Sequence, residues 1–310
     1  MLAIFLKTLP FFALIGLGWW AGRARWFTAD ATAWLTRFVF YFALSAMLFR
    51  FSAELPLGEI FDPAFVAAYL VGSSAVWAVG MAVARLRRQP LADAAMEAHT
   101  GMTGNTGFLG LPMLGVILGP ASAGPILMML TIDLIVFASL VTMLVAGSRA
   151  GRISPALFKA LARGLARNPM IVSMVAGIVW SQLGLPLPGP AKEFLVQLGG
   201  AATPCALFAI GASLAARGAA ERLGPAIWLS VAKLVLHPLA VGAAAIWLFP
   251  VERFDITVMI ATAALPVAGN VYMLAHHFGA AQQRVSAAIL ISTAASILSV
   301  PVLIALAEGL

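Results

Sequence analysis

Gly101-Met-Thr-Gly-Asn-Thr-Gly-Phe-Leu-Gly-Leu-Pro112 and Ala264-Leu-Pro-Val-Ala-Gly-Asn-Val-Tyr272 decide how this chain is read. Each sets an asparagine, Asn105 or Asn270, beside glycine and proline in the middle of an apolar run. Proline removes a backbone donor and clashes with the preceding turn. Glycine admits dihedrals that other residues resist. Together they predict a helix that unwinds at each place. Inside a bilayer, backbone stripped of its helical hydrogen bonds is tolerated only where protein or a wet cavity covers it. A single Pro is otherwise a simple kink, and a Gly-rich span can reflect close helix packing alone. The same cluster in two corresponding spans argues for a paired, broken-helix site.

The surrounding composition supplies the bilayer. Hydrophobic residues make up 62% of the 310-residue chain and charged ones 10%, against roughly a quarter charged in soluble domains. Apolar stretches long enough to span recur near 2–22, 31–51, 62–84, 96–118, 122–146, 168–185, 192–216, 225–249, 255–278 and 284–306. The predicted fold class is therefore an all-α integral membrane protein of ten transmembrane helices. The first run lacks a basic n-region and a clear cleavage site, so it is expected to be a helix of the mature protein and not a signal peptide.

The net charge of +7 does not point to nucleic acid, because the basic residues sit at the ends of apolar runs and form no stripe. They mark topology. The odd links hold Arg23 and Arg25; Arg85, Arg87 and Arg88; Arg149, Arg152, Lys159, Arg163 and Arg167; Arg217 and Arg222; and Arg284. The even links hold Arg253, with Arg50 and Lys192 at helix ends, and most acids: Glu54, Glu59, Asp62, Glu193, Glu252 and Asp255. Lys/Arg bias to the cytoplasm puts odd links inside. Both termini are then expected outside, in a multi-pass membrane protein.

The longest link is basic and contains Leu157-Phe-Lys-Ala-Leu-Ala-Arg-Gly-Leu-Ala-Arg167, an expected amphipathic helix on the inner leaflet. It reads either as a topology-setting linker or as a contact for membrane lipid. It divides the chain into a first five-helix repeat (1–146), the linker (147–167) and a second five-helix repeat (168–310). An odd number of helices per half makes similar halves insert with opposite orientation, the inverted-repeat plan of many secondary transporters. That plan requires the fourth helix of each half to be broken alike, as the two opening stretches are.

Four stretches carry a resemblance: Gly104–Met113 (GNTGFLGLPM), Arg167–Ile178 (RNPMIVSMVAGI), Ala202–Ala215 (ATPCALFAIGASLA) and Ala264–Gly279 (ALPVAGNVYMLAHHFG). In this order, over nearly the whole chain, they resemble the auxin efflux carrier family and its bacterial malonate-transporter-like members. The resemblance implies a 5+5 inverted repeat with crossed, broken fourth and ninth helices. It also implies scaffold and transport subdomains, elevator carriage of small organic anions, and a homodimer. Its crossover prolines correspond to Pro112 and Pro266, and its crossover asparagines to Asn105 and Asn270. One departure is Ser45, where relatives often carry proline; the matching seventh span keeps Pro204, so the kink in the second span is open.

Half-helix starts offer free N–H groups and a positive dipole end to an anion. The expected substrate-binding set is Thr103, Asn105, Thr106, Gly107, Phe108, Gly269, Asn270 and Tyr272. The amides and hydroxyls give neutral donors, and the rings of Phe108 and Tyr272 give surface for stacking or packing. Each Asn has a competing role as a helix cap. Asp133, Lys233 and His237 are intramembrane charges and so functional candidates, as an Asp133–Lys233 ion pair or a protonation switch. His99 reads as a vestibule residue. His276 and His277 are adjacent and project about 100° apart, which excludes an i, i+4 metal pair, and they are expected at the interface. With Cys205 alone, no metal or cofactor is expected.

An enzyme is not expected: there is no HExxH, no GxSxG and no phosphate loop. A channel remains a rival. So does a sodium symporter of the bile-acid type, although the crossing motifs contain no carboxylate. Efflux driven by membrane potential is the simplest expectation for an anion, with H⁺- or Na⁺-coupled dicarboxylate uptake as the alternative.

Overall fold

The computed structural model describes residues 2–55, 61–150, 155–215 and 223–309, and within them the secondary structure is helical. Glu59, Arg152, Arg217 and Arg222 of the charge pattern, and 151–154 of the basic linker, lie outside the described residues. The helices are α1 (Leu2–Arg23), α2 (Ala29–Glu54) and α3 (Pro63–Leu86). Then come α4 (Leu91–Thr100), α5 (Thr106–Leu118) and α6 (Pro120–Ser148). The linker carries α7 (Pro155–Arg167), followed by α8 (Pro169–Gln182), α9 (Gly189–Ala215) and α10 (Leu223–Trp247). The chain closes with α11 (Arg253–Ala263), α12 (Gly269–Phe278) and α13 (Gln282–Glu308).

Seven of these are long and apolar enough to cross a membrane by length and composition: α1, α2, α3, α6, α9, α10 and α13. The helix α8 has 14 residues, about 21 Å at 1.5 Å per residue, short of a hydrocarbon layer of about 30 Å. The expected fourth span is α4 plus α5, and the ninth is α11 plus α12; neither is continuous.

Local sequence explains the caps and irregularities. Thr28, Asp62 and Asn168 cap α2, α3 and α8 through side-chain oxygens, and proline stands first in α3 and α8. Two π-helical turns sit just before a proline: Thr106–Gly110 before Pro112, and Ala232–Leu236 before Pro238. A proline ring pushes against the carbonyl four residues back, and widening the turn to i→i+5 relieves that push. The kink left open at Ser45 is also supplied by a π turn, Val39–Ala43, where the Ser45 hydroxyl donates to the Phe40 carbonyl at 3.1 Å. On α9 the matching break falls at Ala201, just ahead of Pro204.

The helices sort into two bundles. In one, α1 lies along α9, and α2 packs on α8 and α9. Here backbones touch: a Cβ on Gly211 would lie 1.9 Å from the Ile15 carbonyl oxygen, and one on Gly18 2.1 Å from that of Phe208. Only glycine allows so close an approach, the small-residue packing common between helices in lipid. In the other bundle, α3 packs on α4 and α10, α4 on α6, and α10 and α11 on each other and on α13.

Ion pairs join links as the charge pattern requires. The Glu97 carboxylate meets Arg87 and, at 3.0 Å, Arg284, whose other nitrogen reaches Asp93. These come from odd links and adjoining helix ends. Lys192 meets Glu54 at 2.8 Å, both beside even links.

Candidate functional site

The two interruptions lie on one another. The Asn105 N–H donates to the Pro266 carbonyl at 2.8 Å, and the Ala268 N–H donates to the Thr103 carbonyl at 3.2 Å. Gly104 and Val267 thus form a single antiparallel bridge between two unwound stretches. A further backbone donor in the break, Val267 N–H, is taken by the Ser292 hydroxyl of α13 at 3.1 Å. Buried backbone must be paired, and each break does this largely with the other. The crossing brings the C-terminal ends of α4 and α11 and the N-terminal ends of α5 and α12 to one place.

Those N-terminal ends carry backbone N–H groups with no acceptor inside their own helix. Asn105 precedes α5 without a side-chain capping bond, and α12 starts after Ala268, also without one. The Oδ1 atoms of Asn105 and Asn270 are both buried with no hydrogen-bond partner. Half a turn of either amide would present its two N–H donors instead. In either orientation each crossover amide keeps unused polar capacity, which is costly unless a guest or water meets it.

Two cavities adjoin the crossing. The smaller, about 130 Å³, lies between α2 and α9 of one bundle and the starts of the half-helices; it is lined by Phe40, Ile210, Phe108, Gly269, Asn270, Tyr272 and neighbouring apolar residues. The larger, about 540 Å³, is bounded by His99, Ser139, Thr142, Asn270, His277 and a wall of apolar residues. Asn270, Phe40 and Met273 border both.

The expected binding set divides. Phe108, Gly269, Asn270 and Tyr272 line the smaller cavity, and a Cβ on Gly269 would meet open space. Thr103, Asn105, Thr106 and Gly107 are buried at the crossing and border neither cavity. The Thr103 hydroxyl is turned to His99 and the Met102 sulfur, and that of Thr106 to the Gly104 carbonyl at 3.4 Å. Pro266 stands in its break, whereas Pro112 lies in α5, past the π turn, so its effect is on the helix and not on the crossing.

The intramembrane charges are arranged differently from a direct pair. Asp133 takes a 2.7 Å hydrogen bond from Tyr69, and among the described residues no Asp133–Lys233 contact closes to salt-bridge distance. The Lys233 ammonium instead donates to the Ala263 carbonyl at the end of α11 and lies 3.3 Å from His237 Nδ1. The other ring nitrogen of His237, Nε2, lies 3.0 Å from the Ser73 hydroxyl. Lys233 also packs against Gly104, where a Cβ would be 3.2 Å from Nζ. The Lys233 side-chain nitrogen therefore backs the crossing, at the carbonyl end of a half-helix.

The sequence reading did not foresee two placements. Of the apolar stripe of α7, Leu157, Leu161 and Leu165 border the larger cavity, while Phe158 stays exposed. His277, expected at an interface, also borders this cavity. Spacing held part of the signal: His99 and Thr103 are four apart, and the Thr103 N–H closes a last turn on the His99 carbonyl at 3.0 Å.

Two comparisons with known proteins give the family. The family model described as "Membrane transport protein" matches residues 3–304. A Rhizobium meliloti (strain 1021) protein described as "Putative malonate transporter" is 31% identical over 294 residues, 94% of this chain and 92% of that one. With crossed, broken helices, a cavity at their meeting and a match along almost its whole length, the chain belongs to the membrane transport protein family, that of the auxin efflux carriers.

Proposed function

We propose that this chain is a secondary transporter of small organic anions, and that it binds a carboxylate at the crossing of its two broken helices. The observation that carries the reading is the meeting of both half-helix N-termini beside Asn270, on the wall of a cavity and with the Lys233 ammonium behind them. Free N–H groups and two positive dipole ends attract an anion. No Arg or Lys borders either cavity, so release is not opposed by a direct ion pair. The name of the Rhizobium protein makes malonate the first compound to test.

In this reading the seven long helices, α8 and the two broken pairs make ten membrane crossings in two inverted sets of five. The bundle holding α3–α6 and α10–α13 carries the site past the bundle of α1, α2, α8 and α9, an elevator movement. Cytoplasmic odd links put both termini outside, in the inner membrane of a bacterium, and two copies form the working unit. No chemical step on the substrate is needed, so an enzymatic activity is not part of the reading. Sodium coupling is disfavoured, because an ammonium already occupies the carbonyl end of α11 where a cation would sit. Efflux down the membrane potential then suffices.

The test is counterflow. Proteoliposomes loaded with unlabelled malonate are expected to accumulate labelled malonate transiently and saturably, with Asn270→Ala strongly reduced. Unsaturable flux, or unitary currents, would favour a channel.

A further inference from the structure

We propose that His99 and His277 form a second pole of the site, one that holds the far carboxylate of a dicarboxylate and so selects dicarboxylates over monocarboxylates. This rests on the reading of the crossing as an organic-anion site. Among the residues bordering the larger cavity, these two alone carry ionisable side chains; the rest of the wall is apolar, hydroxyl or amide. They come from both broken helices, His99 from α4 and His277 from the last turn of α12. Asn270 borders the larger cavity as well as the smaller. A molecule held at Asn270 by one carboxylate therefore has its other end free to enter the space that the imidazoles border.

The His99 ring is fixed for this task. It is 3% exposed, and the Thr103 hydroxyl lies 3.2 Å from Nδ1 and 3.5 Å from Nε2. One hydroxyl cannot satisfy both nitrogens well, so the ring keeps capacity for a guest. Thr103 is itself held at the crossing by the Ala268 N–H on its carbonyl. Anything that seats a carboxylate at the crossing is thus in register with the ring. Imidazole N–H groups donate and a carboxylate accepts, so the match is chemical as well as spatial. The nearby acid cannot compete, because Glu97 is engaged by Arg87 and Arg284. The smaller cavity offers no such pole: its lining carries no ionisable group apart from the Tyr272 phenol.

The experiment is a binding titration of purified full-length protein in nanodiscs with malonate and with propionate, which keeps the three-carbon chain but loses one carboxylate. Wild-type protein is expected to bind malonate at least about tenfold more tightly, as expected when a site built to pair a polar group meets an analogue lacking it. His99→Phe and His277→Phe, which keep a ring and remove its N–H, are each expected to bring the two affinities together while leaving propionate unchanged. His99→Gln, which restores a donor, is expected to recover part of the preference. Equal binding of both acids by wild type, or variants that weaken both acids in parallel as a structural histidine would, overturns this inference alone. Wild-type protein that binds neither acid overturns the anion site and this inference together.

Discussion

Asn270 and Asn105 look equivalent in the sequence, and the structure separates them. Asn270 borders both cavities, whereas Asn105 is enclosed and serves the crossing through its backbone. Asn270→Ala is therefore expected to weaken malonate binding by at least about tenfold, or about 1.4 kcal/mol. Asn105→Ala, which keeps the backbone bonds, is expected to cost less; isothermal titration of both variants checks the order. Lys233→Met would remove the Lys233 donor from the Ala263 carbonyl at the end of α11, a loss of about 0.5–1.5 kcal/mol. It would also remove the basic group behind the site, so melting temperature and malonate affinity should both fall. The residue types at the crossing were readable because Gly, Pro and Asn in an apolar run have few other uses. The partner of Lys233 was not: spacing on α10 gives the Lys233–His237 neighbourhood, but which buried acceptor takes the ammonium depends on how α10 packs on α11.

Among the helices, what the pattern of apolar runs could give was their positions. Each of the ten expected stretches is helical, and the two expected to break do so at Gly101–Asn105 and Ala264–Ala268. The π turns were beyond it, because a widened turn leaves the 3.6-residue pattern nearly intact, and only those at Thr106–Gly110 and Ala232–Leu236 stand before a proline. The face of α7 was also beyond it. An apolar stripe of Leu157, Leu161 and Leu165 suits lipid or a cavity wall equally, and only the packed structure shows the wall. Leu161→Trp should fill the larger cavity and slow counterflow several-fold with little change in melting temperature, since such variants act on passage and not on folding. The contact of α1 with α9 makes a stability prediction. Gly211→Val has no room against the Ile15 carbonyl and should destabilise by about 1–3 kcal/mol or more. Gly16→Ala on the same α1, with nothing within 4 Å, should be close to neutral in a thermal unfolding assay.

At the level of the assembled chain, the smaller cavity lies between the two bundles, and in the proposed elevator movement a bound anion would be carried by one bundle past the other. Moving one negative charge out through 100 mV, inside negative, gains about 2.3 kcal/mol, roughly a fifty-fold bias in distribution. Efflux from vesicles should therefore rise with an imposed inside-negative potential. It should be indifferent to replacing Na⁺ by K⁺, because the half-helix end that would hold a cation already holds Lys233. A strict Na⁺ requirement would mean that the Lys233 contact is broken in the working cycle. The proposed mechanism depends on two interrupted helices that meet and hold an anion at their loose ends. Its most direct measurement is a cryo-electron-microscopy map of the full-length protein in nanodiscs with saturating malonate. Additional density is expected at the crossing, within hydrogen-bond reach of Asn270 and the first turn of α12. Density bound elsewhere with that place vacant, or two continuous helices passing without contact, would contradict it.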